Sequence, residues 1–401
     1  MKVIMNKQSV LQGTAETRGT NQTGMRALNE RLVLTLIRRH GAMAKSEIAR
    51  ATSLSAQTVS VIMRSLEDEG LLLKGEPHRG KVGQPSVPMR LNPSGAFFFG
   101  LKIGRRSVEL ILIDFLGKII SRRSELYTYP DFDKVLKFAV DAIASITSEM
   151  DQNHVARIAG LGIAIPFQLW HWPRLLGIDS ANMDTWRVRD IQAELAANID
   201  MPVFLQNDAT SACSSELVFG TADLPGNFLQ FYLASFIGGG VVLNGSLFAG
   251  PTGNAGAIGS MLVPNSDGQS CQLIDLASLV VLEDMLEQAN HDPSSLWAFP
   301  HGWKIPDDIR QEWLLQAGRG IAYATHSATA VFDFEAICID GWMPDDLRTD
   351  LIAVIEENLD KLDFTGLERP RLVAGTTGAN ARALGAATQP LLGRFLMQLS
   401  G

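Results

Sequence analysis

Four polar residues at helical spacing, Gln57, Thr58, Ser60 and Arg64, have side chains that could read DNA. Amide, hydroxyl and guanidinium groups are the ones that hydrogen-bond base edges and phosphates. They fall on or near the exposed side of a helix whose apolar residues recur at three- and four-residue steps. We interpret them as DNA contacts. A solvated helical face would have a similar composition, so that alternative stays open.

The elements that must position these residues resemble a helix-turn-helix over residues 44 to 73. Ser55 can cap the second helix through its hydroxyl. A preceding helix, from about Gly24 to His40, would pack beneath it with Leu28, Leu32, Leu36 and Ile37 on one side. The apolar residues that would hold the two helices of the motif together are Ile48, Ala49, Leu54, Val59, Ile62 and Leu66.

A basic loop rich in glycine follows this motif. Gly70 ends the helix, residues 71–73 are a short apolar strand, and the loop from Glu76 to Gln84 contains Arg79 and Lys81. This order is typical of a winged helix, whose hairpin tip lies along the phosphates or in the minor groove. The pattern therefore predicts that Arg79 and Lys81 contact DNA. An ordinary charged linker would look similar.

Charge is distributed unevenly along the chain. The 401 residues carry a net charge of −8, but residues 1–93 hold 14 Lys and Arg against 7 Asp and Glu, whereas the remainder has a net charge of −15. A basic amino-terminal part joined to an acidic body suits a DNA-binding module attached to a domain that stays off DNA.

Length and composition limit the remaining possibilities. With 46 % hydrophobic and 19 % charged residues, the chain is globular and long enough for two or three domains. No apolar run approaches the roughly 20 residues needed to span a bilayer, and residues 1–23 lack the apolar core of a signal peptide. We therefore expect a cytoplasmic protein with no membrane partner. Its three cysteines, an odd number without paired spacing, suggest neither a disulfide framework nor a Cys-only zinc site.

The pattern of elements divides the chain into three parts. We expect a flexible tail over residues 1–22, a winged helix-turn-helix over 23–92, and an α/β body over 93–401, with a linker near 84–94. Residues 297–313, which hold three of the seven tryptophans, are interpreted as an insertion or a packing patch. The predicted body elements are strands at 97–103, 108–113, 158–165, 203–206, 228–234 and 239–243, and a helix at about 132–150.

Several short motifs, in order, make the chain similar to the ROK family of repressors, open reading frames and kinases, in particular to its regulators with an amino-terminal winged helix. The resemblance covers nearly all of the chain from about Arg26. It implies an actin-like, sugar-kinase fold with ligand between two α/β lobes: lobe I at about 93–210 plus the final helix, and lobe II at about 211–385. The matching segments are 100–104, 182–186, 206–209, 238–240, 253–259, 340–341 and 384–387.

The resemblance also implies that the nucleotide site is defective. Where the family kinases have an Asp that serves the metal-bound phosphates, this chain has Lys102, and a cation cannot hold Mg²⁺. Phe236 stands where a glycine would let backbone amides approach the nucleotide. We therefore expect no enzyme activity and no catalytic residues, although Lys102 alone could be an exposed lysine of no consequence.

The sugar side is partly intact. Asn207 and Asp208 match the family pair whose Asp acts as a base toward a sugar hydroxyl, and a carboxylate beside an amide can grip adjacent hydroxyls without catalysis. By the same resemblance, Ser180, Asn182 and Gly256 are candidate sugar contacts. A helix cap or a turn is the alternative interpretation of the Asn-Asp pair.

Other family positions have changed. Ala257 and Ser260 replace the Glu and His of a sugar-binding element, and Cys271 is all that remains of a zinc loop with several cysteines, so we expect no metal and no cofactor. After the wing, Gln84 stands in place of an Arg, and we include it among the candidate DNA contacts.

The favoured hypothesis is a DNA-binding regulator, a repressor of carbohydrate genes, that responds to a small molecule closing the cleft. Its partners would be operator double-stranded DNA, a sugar or sugar phosphate, and a second copy in a homodimer or dimer of dimers. Two alternatives remain: a DNA-binding regulator controlled by a protein partner, and an active sugar kinase with a DNA-binding head.

Overall fold

The computed structural model describes residues 22–76, 87–167, 169 and 181–397. Its first part, which we call the head, contains three helices, Gln22–His40, Lys45–Thr52 and Ala56–Asp68, followed by the antiparallel strands β1, Leu72–Lys74, and β2, Met89–Leu91. The two strands flank the loop expected to form the wing. β2 occupies part of the segment predicted as a linker.

The first helix buries a different set of residues from the one predicted. Leu36 and Ile37 are buried as expected, but Leu28 is exposed and Leu32 is only partly buried. Val33 and Leu34 complete the buried face. The expectation about Leu28 was wrong because the helix turns the side with Val33, Leu34 and Ile37, and not the side with Leu28, toward the apolar core.

The body contains two five-stranded sheets with the same topology. Lobe I has the order β5-β4-β3-β6-β7 and lobe II the order β10-β9-β8-β13-β14. In each sheet the first three strands are antiparallel and the last two run parallel to the central strand. The strands are β3 Phe97–Ile103, β4 Ser107–Asp114, β5 Ile119–Leu126, β6 Ile158–Ile165, β7 Val203–Asn207, β8 Phe228–Leu233, β9 Gly238–Leu243, β10 Ser246–Phe248, β13 Ala336–Gly341 and β14 Arg371–Ala374.

Helices cover these sheets, and a small hairpin extends lobe II. The hairpin pairs β11, Leu262–Pro264, with β12, Ser270–Gln272. The helices are Phe132–Ser148, Gln152–Val155, Ala181–Val188, Ile191–Asn198, Asp208–Phe219, Ile274–Ala277, Leu279–Gln288, Ser295–Ala298, Asp307–Phe332, Asp345–Leu359 and Ala381–Arg394. Among the described residues no helix is both long and apolar enough to cross a bilayer.

Two helices meet between the lobes. We call Asp208–Phe219 the cleft helix and Ala381–Arg394 the last helix. A Cβ atom on Gly385 of the last helix would lie 1.6 Å from the Ser211 carbonyl oxygen, and one on Gly162 of β6 would lie 1.8 Å from the Ala386 oxygen. These glycines let the last helix contact both the cleft helix and the lobe I sheet at backbone distance.

The six strands predicted for the body were placed well, but β10 to β14 were not predicted, and the edge strand β5 was also missed. Its side chains alternate between partly buried and exposed positions before becoming fully exposed, so its sequence lacks the apolar run used to recognise the other strands. Of the two interpretations of the tryptophan-rich segment, an insertion or a packing patch, the structure supports the packing patch. Trp313 is fully buried in the lobe II core, and Trp297 and Trp303 pack against that core.

Candidate functional site

The recognition helix, Ala56–Asp68, presents a polar face to solvent. Its N-terminus is capped as predicted, because Ser55 accepts a hydrogen bond from the Thr58 amide at 3.1 Å. Gln57 and Arg64 are exposed, whereas Thr58 is partly buried with its hydroxyl 2.8 Å from that of Ser55. The Thr58 hydroxyl therefore takes part in the cap, whereas the exposed side chains of Gln57 and Arg64 are better placed to contact DNA.

A second cation lies beside this face. Lys45, the first residue of the preceding helix, donates a hydrogen bond to the Ser60 hydroxyl at 3.2 Å. The pair places an exposed ammonium group near the recognition helix, and a phosphate could compete for it. The sequence pattern did not single out Lys45 because a lone lysine at a helix start is an ordinary surface residue.

Val61 is an apolar member of the exposed face. Its side chain is 56 % exposed, and it lies one turn after Gln57 and about one turn before Arg64. Gln57 and Val61 line a groove with Met25 and Asn29 of the first helix. An exposed methyl group on a recognition helix suits contact with a thymine methyl. Sequence reasoning missed it because Val59 and Ile62 beside it are core residues.

Part of the predicted site lies outside the described residues. This is the case for Arg79, Lys81 and Gln84 of the wing and for Ser180 of the sugar site. Asn182 belongs to the helix Ala181–Val188, but its side chain lies outside the described part. Their proposed contacts stay predictions.

A cavity of about 250 Å³ separates the two lobes where the cleft helix begins. Lobe I contributes Phe167, and the opposite wall comes from the β8–β9 turn and the loop around residue 256. The cavity brings together Asn207, Asp208 and Gly256 of the predicted site with polar residues that the sequence did not single out. The polar and charged side chains that line it are Arg105, Asn207, Asp208, Tyr232, Ser235, Asn254, Ser260 and Arg382.

Asn207 and Asp208 stand where β7 passes directly into the cleft helix. The Asn207 side-chain oxygen accepts hydrogen bonds from the amides of Ala209 and Thr210 at 3.0 and 3.2 Å. Asn207 is thus a helix cap, the alternative interpretation of this pair, and only its amide NH₂ remains to contact a ligand. Asp208 is 3.4 Å from the Arg382 guanidinium, and burial raises the pKa of its carboxyl against the opposing effect of that cation.

Lys102 is buried, so the alternative interpretation of it as an exposed lysine without a role was wrong. It is 7 % exposed on β3, and its ammonium group donates a 2.6 Å hydrogen bond to the Ser107 hydroxyl. Burial and, to a smaller extent, the positive charge of Arg382 lower the pKa of Lys102 to about 7, against the opposing effects of Glu109 and Asp208. A lysine held this way supplies no oxygen ligand for a metal-bound phosphate.

Two arginines of the cleft were missed from the sequence. Arg382 lies near the start of the last helix, and Arg105 lies in the β3–β4 turn, which the Tyr127 hydroxyl steadies by donating to the Gly104 carbonyl at 2.7 Å. Both side chains are about nine-tenths buried. Neither has a local sequence signal, because distant segments meet only when the lobes pack together.

The two lobes are clamped at the cleft mouth by one buried carboxylate. Glu283 of lobe II pairs with Arg105 at 3.0 Å and with Arg106, both from lobe I, and accepts a hydrogen bond from the Trp297 indole at 3.0 Å. Phe236, also from lobe II, lines the cavity and packs against the lobe I core. An aromatic ring thus fills space where the family kinases keep a glycine.

The rest of the lobe II wall offers few ligand groups. Gly256 has a φ of +84°, and a Cβ atom there would lie 2.8 Å from the Gly239 oxygen, so the loop turns tightly against β9. Ala257 and Ser260 are exposed and line the cavity. Cys271 does not fit the zinc site of the family, since no group of three or more His, Cys, Asp or Glu suited to a metal ion occurs in the described ranges.

Comparison with known proteins matches both parts of the chain. The sequence profile of the ROK family matches residues 98–389, and a winged helix-turn-helix DNA-binding profile matches residues 27–72. A relative from Sinorhizobium fredii, the protein y4fQ, is 27 % identical over 381 residues, which cover 92 % of each chain. The profiles therefore match both the winged helix-turn-helix and the ROK motifs that were recognised in the sequence.

Two further matches carry more specific names. The xylose repressor of Bacillus spizizenii is 25 % identical over 251 residues, 63 % of this chain and 64 % of the repressor. The present chain thus spans slightly less than two thirds of that protein. A crystal structure of a ROK family transcriptional regulator, a homologue of the E. coli MLC protein, superimposes with a TM-score of 0.68 over 92 % of this chain and 96 % of the other, at 20 % identity. This match shows a shared fold.

Proposed function

Because the chain belongs to the ROK family and carries a winged helix-turn-helix, we propose that it is a DNA-binding transcriptional repressor of sugar-utilisation genes. Its kinase-like body would sense a sugar or a sugar derivative and transfer no phosphoryl group. In this proposal the protein acts in the cytoplasm as a homodimer or dimer of dimers on operator DNA. The exposed recognition helix, joined to a body with a ligand-sized cleft, is the observation that carries it.

Two features of the cleft support sensing without catalysis. Lys102 stands where a carboxylate would be needed for metal-bound phosphates, and its ammonium group donates a hydrogen bond to Ser107. Phe236 fills part of the opposite wall. Asp208 keeps its place in the cavity, so one group able to bind a sugar hydroxyl persists while the phosphate machinery is altered.

The last helix links the cleft to the head. Arg382 lines the cavity near its start, and Leu391 near its end belongs to an apolar cluster shared with the head. At the end of this helix, Arg31 of the first helix donates to the carbonyls of Leu392 in its last turn and of Leu396 just after it, at 2.7 and 3.0 Å. A ligand that shifts the last helix would therefore also shift the head, and in a dimer it would change the spacing of two recognition helices.

The test is fluorescence anisotropy of the purified chain on DNA from upstream of its own gene, at fixed salt, with and without a panel of sugars and sugar phosphates. We expect tight binding that one ligand changes by 5- to 150-fold, corresponding to a coupling of roughly 1–3 kcal/mol. Asp208→Asn should abolish this response and leave the DNA affinity of the unliganded protein unchanged, because Asp208 lies in the cleft and far from the recognition helix in the chain.

Asp223→Asn is the matched control, because the Asp223 side chain is 98 % exposed. It should keep the full response. Failure to bind any upstream DNA would overturn the proposal, and a full response in Asp208→Asn would remove Asp208 from the ligand site. DNA binding that no sugar or sugar phosphate alters would instead favour control by a protein partner.

An assay for sugar-dependent ADP release addresses the kinase alternative. With Lys102 and Phe236 in the nucleotide site, we expect no ADP release above background with hexoses or pentoses. Sustained turnover that is lost in Asp208→Asn would show that the body is a kinase.

A further inference from the structure

The cleft between the lobes has more positive than negative charge. Among the described residues, three charged side chains line the cavity: Arg105 and Arg382 are cations, and Asp208 is an acid. Lys102 lies buried close enough to interact electrostatically with both Asp208 and Arg382. Asp208 therefore interacts with two cations, Arg382 and Lys102, which also interact with Glu109 outside the lining.

Arg382 has donor capacity that the described residues do not use. The side chain is 11 % exposed, its Nε atom is buried without a hydrogen-bond partner in the described part of the chain, and its Nη1 atom is 3.4 Å from Asp208. This last distance is long for a charge-assisted hydrogen bond. Because the Arg382 guanidinium also lines the cavity, an acceptor on a ligand could make a shorter hydrogen bond with it than Asp208 does.

Arg105 resembles Arg382 in having a donor atom that makes no hydrogen bond to the described residues. Its Nε atom is also buried without a partner among the residues described, and its Nη1 atom reaches Glu283. Glu283 is shared with Arg106 and with the Trp297 indole, so this carboxylate serves three donors. Arg105 therefore retains positive character on the side that faces the cavity.

Among the described residues, the opposite wall supplies no compensating anion. Ala257 and Ser260 are exposed, cavity-lining residues at the two positions where the family's sugar site has Glu and His. A neutral polyol would find one carboxylate, Asp208, and a few hydroxyls and amides to accept its hydroxyl protons. An anion would find two guanidinium groups in the cavity lining.

We propose that the cleft binds an anionic sugar derivative, with its carboxylate or phosphate group on Arg382 and Arg105 and its hydroxyl groups near Asp208, Ser235 and Asn254. This inference rests on the proposed sensing function and specifies its ligand class. Guanidinium groups bind both kinds of anion through paired hydrogen bonds, so sugar acids and sugar phosphates share the chemistry that the cleft recognises.

The first experiment is isothermal titration calorimetry of the full chain with matched ligands: glucose, galactose and xylose, each compared with its sugar acid and its phosphate ester. At least one anion should bind ten- to a hundredfold more tightly than its neutral parent, about the effect of one charge-assisted hydrogen bond. Arg382→Gln should remove that advantage, whereas Arg369→Gln, a surface arginine in lobe II, should keep it. If every anion binds no better than its parent, the inference is overturned.

A gain of charge supplies a second test that does not disturb a buried residue. Ala257 is exposed, so Ala257→Glu adds a carboxylate to the cavity wall without a packing change, and Ala257→Gln is the neutral control of the same shape. Affinity for the anion should fall at least about tenfold in the Glu variant and stay near wild type in the Gln variant. Equal affinities in the two variants would contradict the proposal.

Operator binding by the same preparations distinguishes an error in the ligand class from an error in the proposed function. A neutral sugar that controls DNA binding and is insensitive to Arg382→Gln would overturn the anionic ligand and leave the regulator intact. Loss of all DNA binding by the wild-type chain would overturn the proposed function itself.

Discussion

At the scale of single residues, the cleft brings several buried charges of both signs close together. Lys102 takes the position where the family resemblance implies a carboxylate, and it is held by Ser107 within a buried group of charges. Arg382, Asp208 and Glu109 complete this group. In our proposal these charges favour an anionic ligand.

The buried ammonium group of Lys102 predicts a pH dependence of stability. Burial lowers the pKa of Lys102 from its usual 10.5 to about 7, so between these values the unfolded chain holds a proton that the folded chain has lost. The free energy of unfolding should therefore gain up to about 1.4 kcal/mol per pH unit across this window from Lys102. Below the window the folded state bears the full cost of a buried charge.

Urea denaturation of wild type and Lys102→Met at several pH values checks this. The variant should be the more stable protein at low pH, and the difference should shrink as the pH rises through the window. Parallel curves for the two proteins would show that Lys102 keeps its proton in the folded state.

The recognition helix gives a second prediction at this scale. Gln57→Ala should weaken operator binding by roughly 1–3 kcal/mol if its amide reads a base, and Arg64→Ala should reduce the salt dependence of log K by about one unit if it contacts a phosphate. Both side chains are exposed, so both can reach DNA. Anisotropy titrations over a range of salt concentrations measure both effects.

Gln311→Ala and Arg187→Ala, both exposed on the body, are the corresponding controls and should bind DNA normally. Unchanged operator affinity in both Gln57→Ala and Arg64→Ala would remove this helix as the reading element.

At the scale of elements, glycines determine how the last helix lies between the lobes. Gly100 and Gly162 leave room for it on the lobe I sheet, and Gly385 leaves room for the cleft helix. A side chain at any of these positions would meet a backbone oxygen, which cannot move aside as a flexible side chain can. The close approach makes the last helix a shared part of the contact between the lobes.

Substitution of Gly385 should therefore be strongly destabilising. A Cβ atom there would lie 1.6 Å from the Ser211 oxygen, so Gly385→Ala should cost at least about 1–3 kcal/mol as the helices move apart. Gly393 lies on the same helix, and its nearest neighbour would be at an ordinary 3.5 Å. Gly393→Ala should be neutral or stabilising by up to about 1 kcal/mol through helix propensity.

Thermal and urea denaturation of the two variants compare these effects directly. Similar stabilities for Gly385→Ala and Gly393→Ala would show that the two helices do not approach as closely as the geometry indicates.

At the scale of the whole molecule, the head is built into the body. Phe98 of lobe I, Phe395 after the last helix and Leu34 of the first helix belong to one apolar cluster. Arg38 donates to the Phe115 carbonyl at 2.9 Å, and Arg157 of lobe I donates to the Gly95 carbonyl at 3.1 Å and the Glu69 carbonyl at 3.3 Å. Movement of lobe I and the last helix should therefore carry the head with it.

Arg31 provides the test of this coupling. Its guanidinium bonds two carbonyls at the end of the last helix, so Arg31→Ala should reduce the effect of the ligand on operator affinity while ligand binding in the cleft persists. Stability should fall by roughly 1.5–3 kcal/mol, the range for hydrogen bonds to charged groups. Anisotropy with and without ligand, together with calorimetry, measures both.

Arg39→Ala is the control on the same helix, because Arg39 is exposed. A full ligand effect in Arg31→Ala would mean that the signal reaches the head by another route.

The sequence by itself determined the local structure of the head and six of the twelve described strands of the body. Ser55 with the periodic Val59 and Leu66 specifies a capped helix, because a cap and a 3.6-residue repeat depend on neighbours only a few positions apart. The bounds predicted for the strands Phe97–Ile103 and Ile158–Ile165 agree with the structure at both ends, because their continuous apolar runs are typical of a buried sheet. The ordered motifs added the fold of the body and the expected cleft.

Only the tertiary structure decided which side chains meet in that cleft and what charge it carries. Arg105, Asp208 and Arg382 come from segments that are more than a hundred residues apart, and the packing of two lobes around the last helix brings them together. The same packing buries Lys102, which changes its pKa. It leaves Leu28 exposed, although the apolar repeat placed this residue on the packed side of its helix, and it leaves Val61 exposed as well. Burial and electrostatic environment depend on contacts between distant segments, so no local pattern in the sequence could specify them.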